Sequence, residues 1–283
     1  MPREPALWET VSRRPDARLC DAVLSYTGYV EHAAGPTRRL EVPFAGIPMI
    51  ISLGPSLLVD GVRHRSFVGG LDDTPTITEY TGEQHGIQVN LTPLGARRLL
   101  GLPMVQLARR VVALEDALGP RAAQLVEHLY ELPGWAARFA HVDAVLLARL
   151  RDAAPVAPEL EHGWARLRAT DGAVPIATLA GEVGWSRRHL AARFRDEAGL
   201  PPKAVARVMR FERVTRTLRA HGAAGLADVA YACGYADQSH LNRDFREFAG
   251  TTPTGYAARL LPGGAGVAAG GPPDVDAARA SAA

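Results

Sequence analysis

Cysteine is scarce in this chain of 283 residues: there are two, Cys20 and Cys233. Two thiols build neither a disulfide framework nor a cysteine-rich zinc cluster. Cys233 sits in an apolar segment and reads as a small core residue; nothing near Cys20 would activate it. No apolar run approaches the roughly 18 residues of a membrane helix. The first residues, Met-Pro-Arg-Glu-Pro, lack the apolar core of a signal peptide. The expectation is a cytoplasmic protein with no membrane partner. Lysine is nearly absent too: Lys203 stands alone and the other basic residues are arginine. Arginine's planar fork suits bidentate contact with phosphate or guanine.

Net charge is only +2, but it is divided unevenly. Residues 163–260 hold fifteen Lys and Arg against nine Asp and Glu, a balance of +6. Residues 1–162 hold sixteen against nineteen, a balance of −3. The C-terminal part is therefore the one suited to a polyanion.

Within it, Gly234–Tyr256 reads as a turn, a capped helix, a glycine stop and a proline-marked exit. Asp237 is a good N-cap. Leu241, Phe245 and Phe248 fall at i, i+4 and i+7, one apolar stripe. Gln238, Ser239, Asn242, Arg243 and Arg246 lie off that stripe. Gly250 suits a helix stop. Upstream, the short apolar segment from Leu226 ends in Gly234, and two short helices joined by a glycine turn make a helix-turn-helix. The pattern also occurs earlier, from Leu179 through Gly184, Ser186, Leu190 and Phe194 to Gly199. Gly184 and Gly234 are 50 residues apart; Phe194 and Phe245, and Gly199 and Gly250, are each 51 apart. A repeat at this spacing outweighs either motif alone.

Two such units closing on Gly-Thr-Thr-Pro-Thr-Gly-Tyr (250–256) resemble the DNA-binding domain of the AraC/XylS family of transcription regulators. Ala-Gly-Leu-Pro-Pro-Lys (198–203) and Gly-Tyr-Ala-Asp-Gln-Ser-His-Leu-Asn-Arg-Asp-Phe (234–245) carry the likeness most closely. It covers roughly residues 160–260. The resemblance implies double-stranded DNA as a ligand, RNA polymerase as a partner, and a small-molecule effector or a homodimer through the N-terminal part. It also implies that the helix over 203–220 is a spacer between the units. Arg207, Arg210, Arg213, Arg216 and Arg219 recur along it every three residues, so they wrap around it and cannot all meet one DNA backbone. Most of them read as a solvated face.

The expected architecture is α+β: an N-terminal β-rich domain, a cupin-like barrel by resemblance, with linker helices, then an all-α domain with two helix-turn-helix units. The expected division is a β-rich sensory domain over 1–92, helices for dimerisation or packing over 93–151, a linker over 152–159, the tandem units over 160–260 and a disordered tail over 261–283. Residues 1–18, polar and proline-bearing, are expected to be loose. Strands are expected near 25–30, 47–53, 56–60, 66–71, 76–80 and 86–91. Helices are expected over 95–100, 105–118, 120–132 and 136–153. Leu114, Leu118, Leu125, Val126, Leu129, Phe139, Val142, Leu146, Leu147 and Leu150 form their apolar stripes, which suit a dimer surface and packing onto the barrel equally.

The candidate DNA-binding residues are Arg187, Arg188, Ala191, Ala192 and Arg195 in the first unit, and Gln238, Ser239, Asn242, Arg243 and Arg246 in the second. Gln and Asn pair bidentately with adenine and Arg with guanine, while alanine offers only a methyl contact to thymine. Arg195 and Arg246 suit phosphate. His189 is balanced between a phosphate contact and a structural role. Many cupins hold a metal on a closely spaced histidine pair, but His32, His64 and His85 stand apart, so neither a metal nor another cofactor is expected. No catalytic set is expected either. The alternatives are a constitutive DNA-binding protein whose N-terminal domain only mediates protein contacts, or a DNA-repair enzyme, which would need the missing cysteine cluster.

Overall fold

The computed structural model describes residues 7–261 and 266–269. The N-terminal part is β-rich, with β1 (Leu7–Arg13), β2 (Val23–Glu41), β3 (Ile47–Ser52), β4 (Leu57–Val59), β5 (Val62–His64), β6 (Phe67–Gly69), β7 (Thr76–Leu91) and β8 (Val111–Ala113). These form one sheet in the order β1-β2-β7-β3-β6-β8, with the β4–β5 hairpin laid along β7. Every pairing is antiparallel. Among the described residues no β1–β8 pairing closes that path.

The strands differ from the sequence expectation in three places. Residues 7–13 are not loose: they form β1, in unbroken register from Leu7↔His32 to Arg13↔Tyr26. Thr10 and Val11 suit a pleated edge, and the prolines fall outside the paired stretch. Next, β2 runs on to Glu41, past the strand expected near 25–30 and through Gly35 and Pro36. A register shift between Ala33 and Thr37 takes that pair out of the ladder, so the missing proline N–H is not needed there. Gly82 stands opposite Ala33 at φ +78, and what read as two strands is the single β7. Finally, the helix expected over 105–118 is interrupted. Arg109 turns left-handed at φ +57, and the β-branched pair Val111–Val112 enters the sheet beside β6.

The helices are α1 (Pro93–Leu100), α2 (Leu114–Leu118), α3 (Arg121–Glu131), α4 (Gly134–Arg151), α5 (Pro158–Ala169), α6 (Ile176–Glu182), α7 (Arg187–Ala198), α8 (Pro202–His221), α9 (Leu226–Ala232), α10 (Gln238–Ala249) and α11 (Pro253–Ala257). The residues after β8 are therefore all helical in their regular structure, as the two-part architecture requires. Helix α5 starts at Pro158 rather than Leu160, because proline suits the first helical position. The apolar stripes of α2 to α4 are spent inside the chain: Leu114, Leu118, Leu125, Leu129, Phe139, Val142 and Leu146 are buried, and Val126, Leu147 and Leu150 pack partly buried against the same core. Among the described residues no helix is long and apolar enough to cross a membrane.

One apolar core runs from Leu19 in the N-terminal part to Met209 in α8. A second joins Leu40 and Ile77 of the sheet to Phe211, Leu241, Phe245 and Phe248. Of the tail, residues 266–269 are placed: Val267 is buried and bridges Leu260, and Ala268 bridges Arg39. The rest of the expected disordered tail lies outside the described residues.

Helix α4 is seated on the sheet at two points. Asp143, buried, accepts hydrogen bonds from Tyr26 Oη (2.9 Å) and the Asp16 N–H (3.1 Å), and meets Arg13 at 3.3 Å. Burial, then the Asp143 charge, pushes the Tyr26 phenol well above its usual range. The Trp135 ring lies over Gly28 of β2: a Cβ there would stand 2.4 Å from Trp135 Cε3. Gly28→Ala should therefore displace the ring and destabilise the fold by about 1–3 kcal/mol, the usual cost of overpacking. Denaturant unfolding checks this; an unchanged midpoint would refute the seating of Trp135.

Candidate nucleic-acid interface

The two helix-turn-helix units are built alike, with the same backbone hydrogen bonds at the turn glycine and the aromatic residue after it. In the first, the Trp185 N–H donates to the Ala180 carbonyl (3.0 Å) and the Gly184 N–H to Gly181 (3.2 Å). In the second, the Tyr235 N–H donates to Ala230 (2.9 Å) and the Gly234 N–H to Tyr231 (3.1 Å). Both turn glycines are left-handed, at φ +69 and +78, which glycine alone adopts without a Cβ penalty. The caps also match. Ser186 Oγ accepts from the His189 N–H at 3.1 Å, and Asp237 Oδ1 from the His240 N–H at 2.7 Å. The step from a 50- to a 51-residue offset thus lies in the turn, where Ala236 is the extra residue between aromatic and cap. His189 stacks edge-on against Trp185 (4.6 Å) as His240 does against Tyr235 (5.1 Å), which gives both a structural role.

Helices α7 and α10 each bury one face. Leu190 and Phe194 of α7, and Leu241, Phe245 and Phe248 of α10, are fully enclosed. Arg187, Arg188, Ala192 and Arg195 are exposed and Ala191 half-buried; Gln238, Ser239, Arg243 and Arg246 are exposed and Asn242 half-buried. Among the described residues, none of the five arginines in that set is ion-paired within 4.0 Å.

The spacer arginines are otherwise. The expected solvated face holds for Arg216 and Arg219, which are exposed, but each of the five also finds a partner within the chain. Arg207 meets Asp244 (2.9 Å) and Glu247 (2.6 Å) of α10, and its guanidinium lies 4.8 Å over the Phe248 ring. Arg210 lies over Tyr235. Arg213 and Arg216 reach Asp171 at 3.7 and 3.0 Å, and Arg219 donates to Tyr256 Oη at 3.1 Å. Because the five wrap around α8, they reach partners on several sides of it.

Arg207 is the clamp that holds α10. Its hydrogen bonds to Glu247, and then those to Asp244, hold the guanidinium pKa above its usual value. Asp244 is 2% exposed and faces inward from the recognition helix. The first unit has a lighter clamp on its other helix: Glu182 of α6 accepts from Arg166 Nε (2.9 Å) and Nη2 (3.0 Å), with His162 at 2.9 Å. Arg166 and His162 pull the Glu182 carboxyl down to about 2. The C-terminal end of α7 is pinned to the N-terminal part: Arg97 meets Glu197 at 2.8 Å, and Gly199 passes so close to Met104, Ala108 and Leu71 that an added Cβ would lie 3.3–3.6 Å from them.

Tyr231 of α9 escaped the sequence reading, which counted it into an apolar helix. It is 84% exposed. Its neighbour Ala230 is the buried one, so the wheel position of Tyr231 was the available signal. Its counterpart in the first unit is Gly181, where the space is open. Among the described residues, no group of three or more His, Cys, Asp or Glu is placed to hold a metal.

Residues 179–259 match the family described as a helix-turn-helix domain. Over 87 residues the chain is 36% identical to a putative AraC-like transcription regulator of Streptomyces antibioticus, covering 31% of this chain and 28% of that protein. Over 81 residues it is 37% identical to one of Streptomyces lividans, covering 29% and 26%. The C-terminal segment is an AraC-type helix-turn-helix domain. The chain spans less than a third of the length of the curated relatives it matches. Among solved structures, it is similar to ToxT from Vibrio cholerae at 11% identity and a TM-score of 0.47, over 90% of this chain and 98% of that one. In the AraC-type domain, Asp244→Ala should remove half of the α10 clamp. The expected loss is about 1–3 kcal/mol of stability, as for a hydrogen bond to a charged group, with Asp244→Asn milder. Thermal unfolding tests it; equal stability of the alanine variant and the parent would show that the clamp bears no weight.

Proposed function

We propose that this protein is a sequence-specific DNA-binding transcription regulator that reads two adjacent major-groove segments with α7 and α10. The observation that supports it is a contrast among arginines. Those of the spacer are all engaged within the chain, whereas Arg187, Arg188, Arg195, Arg243 and Arg246 on the recognition helices meet no carboxylate among the described residues. A protein that needed these cations for its own stability would pair them. Exposed on two capped helices with the same turn, they suit a polyanion. Gln238, Asn242, Arg243 and Arg188 are the base readers in this reading, with Ser239 and Arg187 beside them. Arg195 and Arg246 are phosphate contacts, and Ala191 and Ala192 give at most methyl contacts to thymine. The first helix of such a motif crosses the backbone, which makes the exposed Tyr231 hydroxyl a phosphate donor that the first unit, with Gly181, lacks.

The division into a β-rich unit over 1–92, helices over 93–151 that pack rather than dimerise, a linker near 152–159 and the tandem units over 160–260 belongs to the same proposal. So do control by a small molecule at the N-terminal part, RNA polymerase as partner, a cytoplasmic location and the lack of an enzymatic step.

The two units run head to tail on one chain, so each DNA site should be asymmetric, with half-sites about 10 bp apart on one side of the duplex. Arg243→Ala should cost about 1–3 kcal/mol of binding and relax preference at one or two base pairs, and Arg188→Ala should do the same in the other half-site. Arg195→Ala, Arg246→Ala and Tyr231→Ala should weaken all sequences alike. Binding-site selection from a random pool, repeated on each variant, decides it. Palindromic sites, or an even loss for every sequence with Arg243→Ala, would sink the reading.

A further inference from the structure

A cleft of about 580 Å³ lies between the N-terminal part and the first helix of the DNA-binding segment. Asp21 and helix α1 form one wall; Val156 and helix α5 form the other. Its volume is that of a small-molecule site. Leu94, Val156, Trp164 and Ala165 supply apolar surface. Four charged side chains also line it, two of each sign: Arg98 and Arg168, Asp21 and Glu161. Among the described residues none of the four is ion-paired within 4.0 Å. Two donors in the walls are enclosed without an acceptor, Trp164 Nε1 and Arg98 Nε. Trp164 is only 5% exposed. A buried donor left unmatched is a standing cost, and both belong to residues that line the cleft.

We propose that this cleft binds a small amphipathic zwitterion, an ammonium and a carboxylate carried on an apolar body, as in an apolar amino acid or a short peptide. The carboxylate meets Arg98 and the Trp164 indole N–H, the ammonium meets Asp21 and Glu161, and the apolar body lies against Leu94 and Ala165. A plain acid would leave two carboxylates facing its uncharged end, and a plain amine would leave the two arginines unmatched. The site bears on the regulator reading above because α5 backs the first recognition helix. A Cβ added at Gly163 would stand 3.0 Å from the Phe194 ring of α7, and Arg166 of the same helix holds Glu182 of α6. A ligand wedged between α1 and α5 is thus one side chain from the DNA-reading unit.

The test is calorimetric titration and thermal shift on the full chain without DNA, so its failure leaves the DNA-binding reading standing. The probes are leucine, phenylalanine, tryptophan and leucyl-leucine, with 3-phenylpropanoate and phenethylamine as the acid and amine alone. At least one zwitterion should bind at millimolar concentration or below and raise the melting temperature; the free amino acids and the dipeptide tell the two sources apart. The matched acid and amine should bind at least about tenfold more weakly, a difference of about 1.4 kcal/mol. Arg98→Leu should lose about tenfold or more in affinity while keeping the parent's melting temperature or exceeding it, since it removes an unmatched donor. Ala165→Trp, at an exposed position, should abolish binding by filling the cleft. The proposal falls if none of the four zwitterions binds, if the acid alone binds as well as phenylalanine, or if both variants bind like the parent.

Discussion

Helix α8 belongs to two cores at once. Val205, Val208 and Met209 lie in the apolar cluster that holds the sheet, α1 and α7. Phe211, Val214 and Leu218 lie in the cluster that holds α10 and Tyr256. The helix is about 30 Å long, at about 1.5 Å per residue, and its two halves cannot move independently without breaking backbone hydrogen bonds. The separation and relative turn of α7 and α10 are therefore set by one rigid element. Its arginines reinforce this electrostatically: Arg207 grips α10, and Arg213 and Arg216 grip Asp171. Both kinds of contact come from the same sequence feature, an apolar stripe crossed by a period-three run of arginine.

Much of this was legible in the sequence, and unevenly so. The paired motifs stood out because each helix carries its own punctuation, a cap, an apolar stripe and a glycine turn, all of which are local. The caps Ser186 and Asp237 and the buried residues Leu190, Phe194, Leu241 and Phe245 follow from spacing alone. The strands were less legible because their continuity is not local. Pro36 and Gly82 look like breaks until the partner strand shows that both lie at one irregularity, where Gly82 pairs with Ala33 and the ladder resumes at Thr37. Strand β1 depends on having β2 beside it. The helical reading of 105–118 failed where Val111 and Val112 found β6, a pairing across more than forty residues that no periodicity encodes.

Charge was the hardest to read. A count gives the sign of a region but not whether a given cation is free. The five spacer arginines and the five on the recognition helices are alike in composition. The fold separates them by what lies within reach: Asp171, Asp244 and Glu247 pair with members of the first set, and among the described residues no carboxylate lies within 4.0 Å of the second. Asp244 shows the difficulty. It sits in the middle of α10 between the exposed Arg243 and Arg246, and only the burial of its side chain against Arg207 makes it an anchor.

Both helix-turn-helix units share a core with the N-terminal part. The first unit is joined to the N-terminal part by continuous apolar packing, by Arg97–Glu197 and by the close passage of Gly199. The second touches the sheet through Leu40 and Ile77, with the Ala45 N–H donating to Glu212 of α8 at 3.0 Å. Neither unit hangs on a free linker. A change in the N-terminal part therefore reaches α7 directly, through packed side chains, and reaches α10 only by way of the sheet edge and α8. Packed interiors resist small continuous adjustment, so a shift of α1 or of residues 104–108 would move α7 as a body and leave α10 on its Arg207 clamp. The first unit is the one tied most closely to the N-terminal part, while α10 of the second is held by α8.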